Sequence, residues 1–525
     1  MLAIDLESLQ FYFDCLKDGG VLVHGLERAI GIKAISEKAA GRDVKIVNLP
    51  ARTVAVASGG NVLITNMVLI GMLWKALGLE YKQIAAQVME RFKNKQKILE
   101  LDLKCLKAGY DGAKKAVDLE LGNVERGGKK SLRDFWAAKN ILMDGNKALA
   151  LGAIHAGCRI YFAYPMSPAS SILTHMANFA QKTGMIVKQV EDEISVASMT
   201  LGAMYMGTRA LAATSGGGYD LMTETVSLAG MIECPLVLVI AQRPGPATGM
   251  PTWTCQSDFN LAVYSSHGEF PRAVIAASDP TDCFDLIQHA FNIAEKFQSP
   301  VIVLTEKNIA ETNWTIPMFE QGKIPIERGL VSEKKLGEVV SADRYEITKN
   351  GLSKRWLPGS CDAYYYSNSD EHGEDGSVIE DAEQAACMID KRMKKARLIE
   401  EALPEPEAHG VADGAAPSGG RADISFVGWG GSKNVMLDVI GIMAARGVKV
   451  NFLHYSYVYP LKTAAAKKFF KNNKRVFLIE GNYEGQFGNM LENKAGVKFA
   501  GRLLKYDGRP FFVEDVEKFI KENLK

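Results

Sequence analysis

The 525-residue sequence contains eight cysteines but not one Cys-x-x-Cys pair. Cys15, Cys105, Cys158, Cys234, Cys255, Cys283, Cys361 and Cys387 are scattered, whereas iron–sulfur clusters and structural zinc need closely spaced thiolates or thiolate–histidine sets. The chain is therefore expected to hold neither, and its thiols to be free and buried. An excess of either charge is also missing, with 62 Lys+Arg against 61 Asp+Glu, so nothing draws the protein toward nucleic acid or an anionic membrane. No apolar run approaches the ~20 residues that span a bilayer. The opening, "MLAIDLESLQFYFDCL", carries Asp5, Glu7 and Asp14 where a secretory leader has a basic start and an apolar core. These absences point to a cytoplasmic protein, with about three or four domains by length.

What is present is a rhythm. The first stretch, to about Asp118, mixes short strands ("GVLVHG", "VKIVNLPA") with helices ("NVLITNMVLIGMLWKAL", "YKQIAAQVMERF"). A polar segment, "LGNVERGGKKSLRDFW", reads as a linker within 119–145. From Asn146 to Glu306 helices and apolar strands alternate, the pattern of a parallel sheet covered on both faces. Residues 307–421 lose that rhythm and end in a basic helix, "CMIDKRMKKARLIEEAL", and a Pro/Gly/Ala-rich linker, "PEPEAHGVADGAAPSGG". A second alternating block fills 422–525, with strands "DISFVGW", "KVNFLHY" and "RVFLIEG". The fold class is α/β, with several parallel-sheet domains.

Four segments, each just after a predicted strand of the 146–306 block, combine unusual residues. In "RIYFAYPMSPASSI" the strand runs into Tyr164-Pro165-Met166-Ser167-Pro168. Each proline fixes its own φ and pushes the residue before it out of helical geometry, which gives a stiff elbow; its plain reading is a strand-to-helix turn with Ser170 as N-cap. In "QVEDEISVASMTLGAMYMG" three acids, Glu191, Asp192 and Glu193, precede a helix of small apolar residues. They either serve the helix dipole or place one carboxyl in a desolvated setting, which favours its protonated form. "AATSGGGYDLMTE" offers Thr214, Ser215 and three glycines, either a tight turn or backbone that a ligand can approach closely. "AQRPGPATGMPTWTCQSD" places Arg243 at a strand end ahead of Thr248, Thr252 and Gln256. A guanidinium held there suits a carboxylate, though a solvated surface arginine is the plain alternative. In a parallel sheet the four segments meet at one rim, where open α/β sheets bind ligands.

The order Tyr164-Pro165-x-Ser167-Pro168, Glu191-Asp192-Glu193, Thr214-Ser215-Gly216 and Arg243-x-Gly245-Pro246-x-Thr248-Gly249 resembles the alpha subunit of the 2-oxoacid:ferredoxin oxidoreductases, in the form with a gamma domain fused in front. "EGNYEGQFGNML" and "KYDGRPFF" look like that family's C-terminal domain, and "NVLITNMVLIGML" like the tail half of its gamma domain. The resemblance implies a partial gamma-type domain at 1–118, a thiamine diphosphate pyrimidine-type domain at 146–306, a connecting region at 307–421 and a transketolase C-terminal-like domain at 422–525. It implies that Glu193 holds a proton with the aminopyrimidine of thiamine diphosphate, and that Pro165, Thr214, Ser215 and Gly216 line the cofactor. Tyr164, Ser167, Arg243 and Thr248 would bind substrate, with Arg243 on the 2-oxoacid carboxylate or on coenzyme A.

Thiamine enzymes hold the diphosphate and Mg²⁺ through Gly-Asp-Gly, which the sequence lacks. The resemblance therefore implies no metal on this chain, and a beta subunit that brings Mg²⁺, the rest of the thiamine site and an iron–sulfur cluster. The expected assembly is a dimer of alpha–beta heterodimers that oxidatively decarboxylates 2-oxoglutarate or pyruvate to an acyl-CoA and passes electrons to ferredoxin. Ser167 and Met166 stand where the family usually has threonine and isoleucine, Gly217 replaces a usual proline, and the glycine-rich start of the gamma domain is absent, through truncation or placement on another chain. These departures motivate the alternative of a non-catalytic scaffold subunit that keeps the fold and stabilises a partner.

Overall fold

The computed structural model describes residues 1–27, 36–37, 39–116, 140–410 and 422–524. The chain divides into two compact units, 1–137 and 138–525. In the first, β1 (Leu2–Ala3), β2 (Val21–His24) and β3 (Lys45–Asn48) form a parallel three-stranded sheet. The predicted helices are present as Thr65–Ala76 and Tyr81–Phe92, followed by Gln96–Gly112. The linker sequence "LGNVERGGKKSLRDFW" lies outside the described residues.

The second unit is built on a seven-stranded sheet. Its strands are β5 (Ile160–Ala163), β6 (Ile186–Gln189), β7 (Ala210–Thr214), β8 (Leu236–Gln242), β9 (Ala273–Ala276), β10 (Pro300–Glu306) and β15 (Tyr457–Tyr459), in the spatial order β15-β9-β10-β8-β7-β5-β6. All pairings are parallel except β15 with β9. Every residue of β8 and β10 is buried, which is why "LVLVIAQ" and "PVIVLTE" read as continuous apolar runs rather than alternating ones. Helix Pro280–Phe297 starts with Asp279 accepting from the Asp282 amide at 2.9 Å and buries Phe284, Ile287, Phe291 and Ala294.

The path of the chain matters more than the strand count. It enters at β5, steps outward to β6, then returns to β7 on the other side of β5 and continues to β8. The direction of winding thus reverses between β5 and β7, and the helices that follow them leave a crevice at their carboxyl ends. A second sheet, β12 (Glu407–Gly410), β13 (Ile424–Trp429), β14 (Val450–Tyr455), β16 (Val476–Glu480) and β17 (Gly501–Leu504), runs in the order β12-β14-β13-β16-β17.

Several expectations change. Ser170 is the first residue of its helix, not the N-cap; Ala169 holds that place without a side-chain bond. Part of the expected linker 404–420 is β12, an edge strand antiparallel to β14. At the end of the 119–145 segment, β4 (Asn140–Met143) pairs with β11 (Trp314–Pro317). Cys105, Cys158, Cys234, Cys255 and Cys283 are buried free thiols, but Cys15 and Cys387 are exposed. No single helix among the described residues is long and apolar enough to cross a membrane.

Candidate functional site at the strand carboxyl ends

The three acids before helix Glu193–Tyr205 have three different fates. Glu191 is exposed; Asp192 is the N-cap, accepting from the Ser195 amide at 2.8 Å; Glu193 enters the first turn and is only 4% exposed. The helix behind it buries Val196, Ala197, Leu201 and Met204, so position 193 faces the interior. Its Oε1 is enclosed and has no hydrogen-bond partner. A buried carboxylate oxygen without a donor is costly unless something arrives to satisfy it.

The glycine segment is neither a turn nor a loop. Ser215 is the N-cap and Gly216–Met231 is helical, so Gly216, Gly217 and Gly218 form the first turn. Gly218 has to be glycine: a Cβ there would collide with Thr214 Oγ1 and lie 2.7 Å from Glu193 Oε1. Thr214, the last residue of β7, and Glu193 therefore close on one cradle. Thr214 Oγ1 also reaches Met166 Sδ of the elbow after β5, at 3.7 Å. The Ser215 hydroxyl, like Glu193 Oε1, is buried without a partner. On the other side of the elbow, Arg243, half-buried, donates through its guanidinium to the Ser167 carbonyl at 2.7 Å. All four segments thus touch, at the β5/β7 switch. Tyr164, Pro165, Ser167 and Thr248 are exposed on this rim.

Two further acids stand behind it, neither singled out by the sequence reading. Asp258 closes the Arg243 segment; its carboxylate would lie 2.7 Å from a Cβ on Gly216, and its Oδ2 is buried and unpartnered. Burial, with Asp220 adding and Arg243 opposing, pushes this carboxyl up to about 7. Glu306 ends β10, and burial, partly offset by the Gly431 amide, Gln256 and Thr254, pushes it up to about 7 as well. Its Oε1 accepts from Gln256 Nε2 at 2.7 Å and from the Gly431 amide at 2.8 Å. Gln256 also donates to the Trp429 carbonyl at 2.9 Å and accepts from the Gly481 amide at 2.7 Å. This knot ties the Arg243 segment to the carboxyl ends of β10, β13 and β16. Its one legible signal is a lone acid closing the apolar run "PVIVLTE".

Residues 151–389 match the family described as "Pyruvate flavodoxin/ferredoxin oxidoreductase, thiamine diP-bdg", and residues 1–112 match "Pyruvate ferredoxin/flavodoxin oxidoreductase". The alpha subunit of 2-oxoacid:ferredoxin oxidoreductase 1 from Sulfurisphaera tokodaii is 32% identical over 478 residues, 88% of this chain and 72% of that protein. The chain belongs to the 2-oxoacid:ferredoxin oxidoreductase family. The 2-oxoglutarate synthase subunit KorA of Methanothermobacter marburgensis is 27% identical over 70% of this chain and 94% of its own. A solved 2-oxoglutarate:ferredoxin oxidoreductase from Magnetococcus marinus, with 2-oxoglutarate, coenzyme A and succinyl-CoA bound, superposes with a TM-score of 0.87 at 28% identity, covering 100% of this chain and 88% of that one.

The crevice of this oxidoreductase therefore lies in a thiamine diphosphate-binding domain, and its residues fit that cofactor. An enclosed carboxylate oxygen and an enclosed hydroxyl lack partners, and glycine at 218 leaves the Thr214–Glu193 approach free of any side chain.

Proposed function

We propose that this chain is the alpha subunit of a 2-oxoglutarate:ferredoxin oxidoreductase that converts the 2-oxoacid and coenzyme A to an acyl-CoA, passes electrons to ferredoxin and works only with a beta subunit. The observation that carries the reading is the partnerless Oε1 of Glu193, aimed at the Thr214–Gly218 cradle of the switch point. Thiamine diphosphate, when bound, supplies the electron sink for decarboxylation. Glu193 would hold a proton against the ring nitrogen of its aminopyrimidine, in a wall dry enough to keep that proton from solvent. Pro165, Thr214, Ser215 and Gly216 would line the cofactor. Ser167 and Tyr164 would form the substrate side of the elbow, and Arg243 with Thr248 would meet the substrate carboxylate. The domain reading follows: 146–306 as the pyrimidine-type domain, 422–525 as the transketolase C-terminal-like domain and 1–118 as part of a gamma-type domain. A beta subunit would bring Mg²⁺ and an iron–sulfur cluster, in a dimer of heterodimers. The preference for 2-oxoglutarate over pyruvate rests on the names of the KorA relative and of the solved neighbour.

Co-expression with the beta subunit is expected to give dye reduction that depends on both 2-oxoglutarate and coenzyme A, with pyruvate the poorer substrate; a complex with no 2-oxoacid-dependent reduction overturns the reading. Full activity after Glu193, Ser167 and Arg243 are each changed to alanine would make the chain a scaffold.

A further inference from the structure

Asp258 is held in place from several sides. Its amide donates to Gln242 Oε1 at 3.1 Å, and the residue after Gln242 is Arg243, whose guanidinium is bonded to the elbow at Ser167. Its carboxylate occupies the place a Cβ on Gly216 would need, at the start of helix Gly216–Met231 and two residues before the Gly218 that faces Glu193. The amide after Asn260's neighbour Phe259 is fixed too, since the Asn260 amide donates to Gln486 Oε1 at 2.9 Å. The backbone that carries the carboxylate is thus held, and its Oδ2 is enclosed with no donor.

We infer that Asp258 is a proton-holding positioning residue that answers substrate arrival: when a 2-oxoacid carboxylate engages Arg243, Asp258 takes a proton from solvent. The inference rests on the reading of Arg243 given above. The charged and titratable groups that act on or answer to Asp258 are Arg243 on its own segment, Asp220 on the glycine-started helix, and the thiol of Cys255, itself pushed up to about 12 by burial first and by Asp258 among others. Of these, Arg243 alone favours the anion; burial and Asp220 oppose it. An anion that pairs with Arg243 cancels that support, so the carboxyl moves further up and protonates near neutral pH. The bond change is limited to Oδ–H formation, with the proton supplied by buffer. The consequence is a neutral wall beside Gly216 whenever substrate is bound, instead of a second negative charge next to an anionic ligand.

The test is calorimetric titration of the alpha–beta complex with 2-hydroxyglutarate, the unreactive analogue of the proposed substrate, at pH 7.5 in two buffers of different ionisation enthalpy. Uptake on the order of half a proton per site is expected, with binding that tightens as pH falls through 7. Asp258→Asn should bind the analogue with no proton uptake and no such pH dependence. Wild-type binding with identical heats in both buffers overturns the inference and leaves the assigned reaction standing. A complex that neither binds the analogue nor reduces dye with 2-oxoglutarate removes the assigned reaction, and the inference with it.

Discussion

At the amino ends of the central strands, Glu233 and Glu295 are buried among cations; at the carboxyl ends, Glu193 and Asp258 are enclosed among glycine, serine and threonine. Glu233, just before β8, binds Lys395 at 2.6 Å and also Lys391, both on helix Ala382–Ala402. Burial pushes its carboxyl up, but Lys395, Lys391 and Arg344 together outweigh that and hold it far below the usual carboxylate range. Glu295, ahead of β10, accepts from Arg209 at 2.7 Å, Arg328 at 2.9 Å and Arg355 at 3.3 Å. These clusters clasp the 307–403 segment onto the sheet. The rim acids instead have oxygens with no donor. Burial is common to both ends; what separates them is partners, ionic at the amino ends and missing at the rim.

The sharpest way to break that contrast is to neutralise one acid at each end. Glu193→Gln keeps shape and removes a proton site, so 2-oxoacid-dependent dye reduction by the complex should fall about 10²–10⁴-fold, while the unfolding temperature holds or rises. Glu233→Ala should do the reverse. It strands two buried ammonium groups, and breaking a buried pair costs about 3–5 kcal/mol, readable by denaturant unfolding. A Glu193 variant destabilised as strongly as the Glu233 variant would erase the distinction.

Glu306 lies between the two classes: it is at the rim, but partnered by neutral donors. Its folded-state pKa of about 7 is above the ordinary 4.5, so the folded state binds the extra proton between those values. Stability from this group is full below about pH 4.5 and is lost as pH rises toward 7, by about 3 kcal/mol in all. Glu306→Gln should remove that slope, so that wild type and variant differ more at pH 8 than at pH 5 in thermal unfolding. Equal differences at both pH values would show that Glu306 is ionised throughout.

The rim was legible because its parts are local. Prolines, glycines and acids within a few residues of a strand end state their own geometry, and the alternation of apolar runs orders the strands. The clasp was not legible, because it is a pairing across distance. "CMIDKRMKKARLIEEAL" reads as a basic helix and no more, yet Lys391 and Lys395, four apart on one face, are buried against Glu233 more than 150 residues away. No local pattern announces which lysine meets which glutamate. Asp258 and Glu306 escaped for the same reason, since a lone acid after a strand acquires meaning only from Gly216 or Gly431 brought against it.

The contrast recurs over three consecutive residues, where folding context is held almost constant. Glu191 is exposed, and its replacement by alanine should change stability within about 0.5 kcal/mol. Asp192 has a structural role with a definite partner, since its side chain accepts from the Ser195 amide and so satisfies a donor that the helix leaves open. Asp192→Ala should therefore cost about 1 kcal/mol in unfolding experiments. Its effect on dye reduction should be confined to what the loosened first turn does to Glu193, and capping by asparagine at position 192 should restore it, because asparagine accepts the same bond without charge. That rescue is the discriminating result. If the amide restores both stability and rate, Asp192 acts as a cap alone and Glu193 carries the chemistry; if stability returns but rate does not, the negative charge of Asp192 belongs to the site and the division between partnered and partnerless acids fails at its closest test.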